Sequence, residues 1–276
     1  MIKDTVVNLS VGSSRDVAAD YAVSVANAFG AHVAGMAFAY EPVIPGTVMG
    51  GVPAELIEAS LAESRKAAED AIARFDQAAA RAGVSFESRV LDATLVSAAD
   101  LFGRIARRFD LSVVAQAEPD KATGEDLIIE AALFQSGRPV IVVPYIQRTG
   151  LLLERVLVCW DGGRTAARAI GDAIPFLTRA KAVDVLIVAT EPGKGDEIPG
   201  ADMGRHLARH GLKVEVKRIV APDIDVANAI LSYAADSSAD FMVMGGYGHS
   251  RLREFILGGA TRGIFQSMTV PVLMAH

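Results

Sequence analysis

The sequence predicts an α/β protein built from two tandem, doubly wound domains, each with a five-stranded parallel sheet. Short apolar runs of strand length alternate with amphipathic stretches, the mark of βαβ units. The apolar runs, such as Val183–Ala189, are continuous rather than alternating, as in strands buried on both faces. The order of elements, with several of their side chains, occurs twice, and self-similarity at long period marks a duplication.

In the second half, Arg155–Trp160 reads as a strand and Arg164–Ala180 as a helix, followed by strand Val183–Ala189. Helix Pro199–His210 closes on Gly211, a residue favoured just past a helix end. Strand Lys213–Val220, helix Ile224–Asp236, strand Asp240–Met244, helix Gly259–Ser267 and strand Thr269–Ala275 complete it. Pro271 falls near the start of that last strand, where a missing N–H is tolerated. The first half repeats the order with strands Thr5–Val11, Ala31–Tyr40, Val84–Leu91, Asp110–Gln116 and Val140–Tyr145. Its helices are Ser14–Phe29, Ala54–Ala82, Val96–Arg108 and Glu125–Ser136. Phe134-Gln135-Ser136 before Pro139-Val140 mirrors Phe265-Gln266-Ser267 before Pro271-Val272, and Asp110–Val114 mirrors Asp240–Met244. Domains at 1–148 and 151–276 follow, joined near Gln147–Gly150. One large doubly wound domain is the alternative, and it does not produce the repeated signature.

Composition narrows the class. Of 276 residues, 51% are hydrophobic, and mean hydropathy is +0.31. No apolar stretch approaches the ~20 residues of a membrane-spanning helix, so buried sheets account for the hydropathy. The start of the chain lacks a signal-peptide pattern, and one cysteine excludes an internal disulfide framework, so a cytoplasmic protein is expected. A net charge of −6, with no basic run, argues against nucleic acid as a partner.

The informative segment is Gly245-Gly246-Tyr247-Gly248, nine residues, then Gly258-Gly259-Ala260-Thr261. It joins the end of a strand to the start of a helix, where open α/β sheets bind ligands. Glycine lets backbone approach an anion closely, and the unpaired N–H groups and dipole of a helix N-terminus favour negative charge. A polyphosphate suits this chemistry; tight turns without a ligand are the plain alternative. Asp161, in Cys159-Trp160-Asp161-Gly162-Gly163, sits on the same sheet edge. It can accept bonds from a ribose hydroxyl or an adenine amino group, or cap the helix that follows; local sequence leaves both open.

These residues resemble the universal stress protein family in its tandem form, across essentially the whole chain. ATP-binding members carry Gly-x-x-Gly, nine residues, then Gly followed by Ser or Thr; Gly245, Gly248 and Gly258 match in register. The resemblance implies an adenine nucleotide alpha hydrolase-like, Rossmann-like fold. It implies an ATP site at Asp161, Ala189, Met244, Gly245, Gly248, Gly258, Gly259, Ala260 and Thr261, with Mg2+ as an accompanying ion. Ala189 would line the adenine pocket and Met244 would pack on the base. Gly259 departs from the family pattern by removing a phosphate-contacting hydroxyl, which Thr261 stands near enough in sequence to replace. The resemblance also implies that the final strands, Val140–Tyr145 and Val270–Ala275, pair antiparallel within one chain as an intramolecular pseudo-dimer, with room for a homodimer through other surfaces.

The first half reads as a degenerate partner domain. Val11 is expected at the place of Asp161, Ala115 at Gly245, and Glu118 with Pro119 near Gly248, where a carboxylate repels phosphate and proline removes a donor. His206 and His210, four apart, read as a solvated face, and Cys159 as a buried structural thiol. Arg251, Arg253 and Arg262 read either as phosphate-neutralising or as surface residues. The leading function is a non-catalytic or weakly catalytic adenine-nucleotide-binding protein of stress adaptation, the stress role being implied by the resemblance alone. An interaction module without nucleotide, and a slow ATP hydrolase, are the alternatives; the Gly-x-x-x-x-Gly-Lys-Ser/Thr loop of phosphoryl-transfer proteins is absent.

Overall fold

A computed structural model describes residues 1–41, 53–118, 124–189, 200–220, 224–246 and 259–276. The expected Pro45–Gly51 loop, Pro119, Gly248, His249, Arg251, Arg253, Glu254 and Gly258 lie outside the described residues. The chain forms two compact units, Ile2–Arg138 and Pro139–His276.

The first unit contains β1 (Asp4–Asn8), α1 (Val17–Phe29), β2 (His32–Tyr40), α2 (Ala54–Ala82), β3 (Ser85–Ala93), α3 (Leu95–Ala106), β4 (Leu111–Ala115) and α4 (Glu125–Gln135). Its strands run parallel in the order β3-β2-β1-β4. The Asp16 side chain accepts the N–H of Ala19 to start α1, and Thr94 does the same with Ser97 to start α3. Helix α2 packs through Ala68, Ala71, Phe75 and Ala79, all buried. Phe75 lies so close to Gly35 of β2 that a Cβ there would meet its ring at 2.7 Å.

The second unit contains β5 (Val140–Val143), β6 (Arg155–Cys159), α5 (Arg164–Leu177), β7 (Ala182–Ala189), α6 (Ala201–Arg209), β8 (Val214–Val220), α7 (Val226–Asp236), β9 (Phe241–Gly245), α8 (Gly259–Ser267) and β10 (Val272–Ala275). Strand order is β5-β10-β9-β6-β7-β8. The expected antiparallel pairing is present: Val272, Leu273 and Met274 of β10 stand opposite Val142, Ile141 and Val140 of β5. β10 pairs parallel with β9 on its other side. The core stacks Phe176 of α5 on Phe241 of β9, ring centroids 5.4 Å apart.

One aspartate clamp is repeated. Asp110 Oδ2 accepts the N–H groups of Lys3 and Asp4, and Asp240 Oδ2 accepts those of Glu154 and Arg155. Each clamp fixes the entry of the first strand of a half against the strand beside it, which sets the register of both. Burial raises the Asp240 carboxyl above the usual carboxylate range, against the lowering pull of the two N–H groups. One hydrogen bond continues each first strand in the same way, Leu9 N–H to Met36 O after β1 and Trp160 N–H to Leu186 O after β6.

At Gly245 the end of β9 meets the first turn of α5. A Cβ there would lie 2.6 Å from Thr165 Oγ1 and against the backbone nitrogen of Ala166. This glycine is required by packing before any ligand is considered. Gly263 plays a similar part between α7 and α8, where a Cβ would stand 2.6 Å from Ala227 Cβ. No helix among the described residues is long and apolar enough to cross a membrane.

Two outcomes are expected. Gly245→Ala, measured by urea unfolding, loses about 1–3 kcal/mol, because backbone cannot yield as a flexible side chain would. For Asp240, a folded-state pKa above the unfolded value contributes stability below the unfolded pKa, and that contribution is lost as pH rises through the folded pKa. Asp240→Asn removes this dependence, so its urea midpoint gains on the wild type between pH 4 and pH 7; a constant difference would contradict the account.

Candidate functional site

Strands β6, β7 and β9 are in register: Val158 stands opposite Val185 and Val243, and Cys159 opposite Leu186. Side chains alternate along each strand, so one face collects Cys159, Leu186, Val188 and Met244 at the carboxyl ends. These four floor a cavity of about 180 Å³. Val226 and Ile230 of α7 form its wall, and Gly259, Ala260 and Thr261, the first residues of α8, close another side with Asp161 and Gly245. Its volume equals roughly six waters at about 30 Å³ each, room for a flat ring system.

Of the residues expected at the site, Asp161, Met244, Gly245, Gly259, Ala260 and Thr261 are brought together here. Gly248 and Gly258 lie outside the described residues. Ala189 ends β7 and is not on the lining; Leu186 and Val188 are. Period two accounts for this, since residues 186 and 188 share a face and 189 takes the other. The wall from α7 went unread in the sequence, although the four-residue spacing of Val226 and Ile230 puts both on one helix face. The indole of Trp160 is placed beside Gly200, 3.4 Å from where a Cβ would stand.

Asp161 is exposed, and its Oδ1 accepts the Gly163 N–H at 2.7 Å. It therefore shapes the turn before α5, while Gly163 holds the N-cap position, and it borders the cavity at the same time. Gly162 in that turn has φ +78°, a conformation suited to glycine. Thr261 is 4% exposed, so the direction left open by the sequence is inward. Among the described residues, nothing stands within 4 Å of a Cβ at Gly259. The first turn of α8 carries no acidic residue, so none of its own side chains opposes the positive end of the helix dipole.

Cys159 is buried, and burial together with the Asp161 charge pushes its thiol up to about 12. It stays protonated at neutral pH and serves as floor rather than nucleophile. Among the described residues no group of three or more His, Cys, Asp or Glu could hold a metal ion. His206 and His210 are both exposed on α6 and its cap, ring centroids 5.0 Å apart.

The matching place in the first unit is built differently. The paired clamps and the matching Leu9 and Trp160 bonds align Ser10 with Asp161, which corrects the expectation of Val11. The expected strand Thr5–Val11 runs past the observed end of β1 at Asn8, and counting from its end misplaces the residue by one. Ala115 does align with Gly245. Met36 and Phe38 take the positions of Leu186 and Val188, and Phe38 is 1% exposed. Its ring fills ground that valine leaves open. The first turn of α4 carries Glu125 and Asp126, and burial, then neighbouring acids, raise the Glu125 carboxyl.

The universal stress protein family model matches residues 153–276. The universal stress protein Slr1230 of Synechocystis sp. is 28% identical over 142 residues, 49% of this chain and 46% of that protein, so the chain spans under half of that relative's length. A universal stress protein from Archaeoglobus fulgidus shares the fold over 99% of this chain and 95% of its own, with a TM-score of 0.73 at 17% identity. A protein of unknown function from Pseudomonas aeruginosa PAO1 does so over 99% and 92%, with a TM-score of 0.60 at 15% identity. At these identities the structural likeness speaks for the fold, and the sequence match is confined to the second half of the chain. Residues 153–276, under half of the chain, match the universal stress protein family model.

Proposed function

We infer that the second unit binds an adenine nucleotide, ATP in the first instance, and that the protein uses this binding in stress adaptation in the cytoplasm. The observation that carries the reading is the cavity at the carboxyl ends of β6, β7 and β9, apolar on its floor and bordered by the N-terminus of α8. An apolar slot with few polar groups at its rim suits a base. Met244 and Val188 would hold the base and Asp161 a ribose hydroxyl. The α8 N-terminus, with Thr261 and the glycines of the 245–259 segment, would take the phosphates. The lack of a hydroxyl at Gly259 leaves Thr261 as the hydroxyl of that turn. Mg2+ is proposed only as the counter-ion carried on the phosphates. The first unit, with Phe38 in the base position and Glu125 at its helix start, is proposed as a partner domain without nucleotide.

Binding is the proposed activity. Among the described residues the cavity lining offers one carboxylate, one unreactive thiol and one threonine hydroxyl, a set that holds a ligand more readily than it transfers a phosphoryl group.

Calorimetric titration of the full chain with ATP tests the reading. Wild type binds. Val188→Phe copies Phe38 and lowers affinity by about tenfold or more, roughly 1.4 kcal/mol, while the circular dichroism spectrum is retained. Equal affinity in a folded Val188→Phe protein would move the site elsewhere. Asp161→Ala separates its two roles. A ribose contact predicts weaker ATP binding by about 1–2 kcal/mol; a turn-forming role alone predicts a lower melting temperature and unchanged affinity. Mass spectrometry of ligands released from purified protein distinguishes bound ATP from a protein that binds no nucleotide and acts as an interaction module.

A further inference from the structure

The face that β7 turns toward α7 carries Asp184, Leu186 and Val188 at alternate positions, and α7 answers with Val226, Ile230 and Tyr233 at four- and three-residue steps. Leu186, Val188, Val226 and Ile230 line the cavity. Beneath them the contact is polar. The Tyr233 hydroxyl donates to Asp184 Oδ2 at 3.1 Å, and Arg155 Nη1 of β6 donates to both carboxylate oxygens at 3.1 Å. Asp184 is 1% exposed.

A buried carboxylate is costly unless it is paired and hydrogen-bonded, and an apolar replacement of similar volume often serves stability as well. The first unit shows such a replacement. Strand register puts Ala34 of β2 at the place of Asp184, and Asp4 at that of Arg155. Counted from the helix caps Thr94 and Asp225, Phe102 of α3 stands at the place of Tyr233, and it is fully buried. Within one chain, the apolar pair occurs where Phe38 fills the base position, and the polar set occurs where the cavity is open. Stability alone does not account for the polar set.

We propose that Asp184, Tyr233 and Arg155 position α7 along β7 and so set the width of the cavity for its ligand; the proposal rests on the nucleotide-binding reading above. Apolar contacts let a helix slide, whereas a hydrogen bond weakens steeply once its angle or length is lost. Tyr233 lies one turn beyond Ile230 on the same helix face, so its bond to Asp184 fixes the height at which Ile230 and Val226 stand over Leu186 and Val188. Arg155 fixes the carboxylate in turn and ties it to β6, the strand that contributes Cys159 to the floor. All three act through α7 and are positioning residues.

The double variant Asp184→Ala/Tyr233→Phe copies the first unit and tests this in the full chain. Thermal melting, ATP affinity by calorimetry, and a crystal structure are compared with wild type. The expected result is a melting temperature within about 3 °C, ATP affinity lower by about fivefold or more, and α7 displaced along β7. A purely structural role would let the apolar pair restore affinity along with stability. Wild-type affinity in the double variant, or an α7 that has not moved, overturns the proposal and leaves the nucleotide reading standing. Failure of the wild type to bind ATP ends the nucleotide reading instead, and the position of α7 in the variant crystal then decides for or against the positioning role. Should the double variant not fold, Tyr233→Phe alone, which keeps the Asp184–Arg155 pair, carries the same comparison: weaker ATP binding with a displaced α7 supports the positioning role, and wild-type affinity or an unmoved α7 overturns it.

Discussion

The parallel register of β6, β7 and β9 is the constraint on which the rest of the second unit depends. Parallel neighbours in register point matching side chains to the same face, so one alignment decides what meets at the strand ends. With Val158 opposite Val185 and Val243, Cys159, Leu186, Val188 and Met244 become a floor. A slip of β7 by one residue would turn Ile187 and Ala189 to that face in place of Leu186 and Val188. The Asp240 clamp matters for this reason, since its carboxylate ties the entry of β6 to β9 by accepting the N–H groups of Glu154 and Arg155.

Much of this was legible in the sequence because it rests on local chemistry. Strand-length apolar runs, glycines just past helix ends, and the Asp110 and Asp240 repeats gave the two halves and their element order. Asp161, Gly245 and Thr261 were legible as candidates for one strand-end cluster because they sit beside turn and glycine signals that stand out against a helix or strand background, and Met244 was legible through the resemblance. The wall and half of the floor were not. Leu186, Val188, Val226 and Ile230 are ordinary apolar residues in ordinary elements, and only tertiary register turns them toward a cavity. Ala189 illustrates the converse, a residue at the right strand end on the other face. Ser10 was obscured because the apolar run Thr5–Val11 outlasts β1, which ends at Asn8, so the run alone does not give the strand register.

Glycine in this protein also separates two demands that a motif merges. Gly245 belongs to the phosphate-loop spacing, and the same glycine is what lets the first turn of α5 lie against β9. Among the described residues nothing stands within 4 Å of a Cβ at Gly259, so their packing does not call for a glycine there. A spacing pattern read from sequence assigns both to the ligand; the packing assigns one of them first to the fold. The first unit has an alanine at the equivalent of Gly245 and begins its helix later, which is consistent with packing being the stricter of the two demands.

The pairing of β5 with β10 has a consequence for how the chain is made. Val142 of β5 meets Val272 only after about 130 residues more have been added, a separation whose closure entropy must be met late. Synthesis from the N-terminus releases the whole of Ile2–Arg138 early, free to fold on the ribosome with its own neighbours. The second unit cannot do the same. Its sheet has β10 in the interior between β5 and β9, so β5 waits with an unpaired edge and β9 with another until β10 emerges between them. That interval is when its apolar edges are open to other nascent chains, and the rate at which β10 arrives sets how long the exposure lasts.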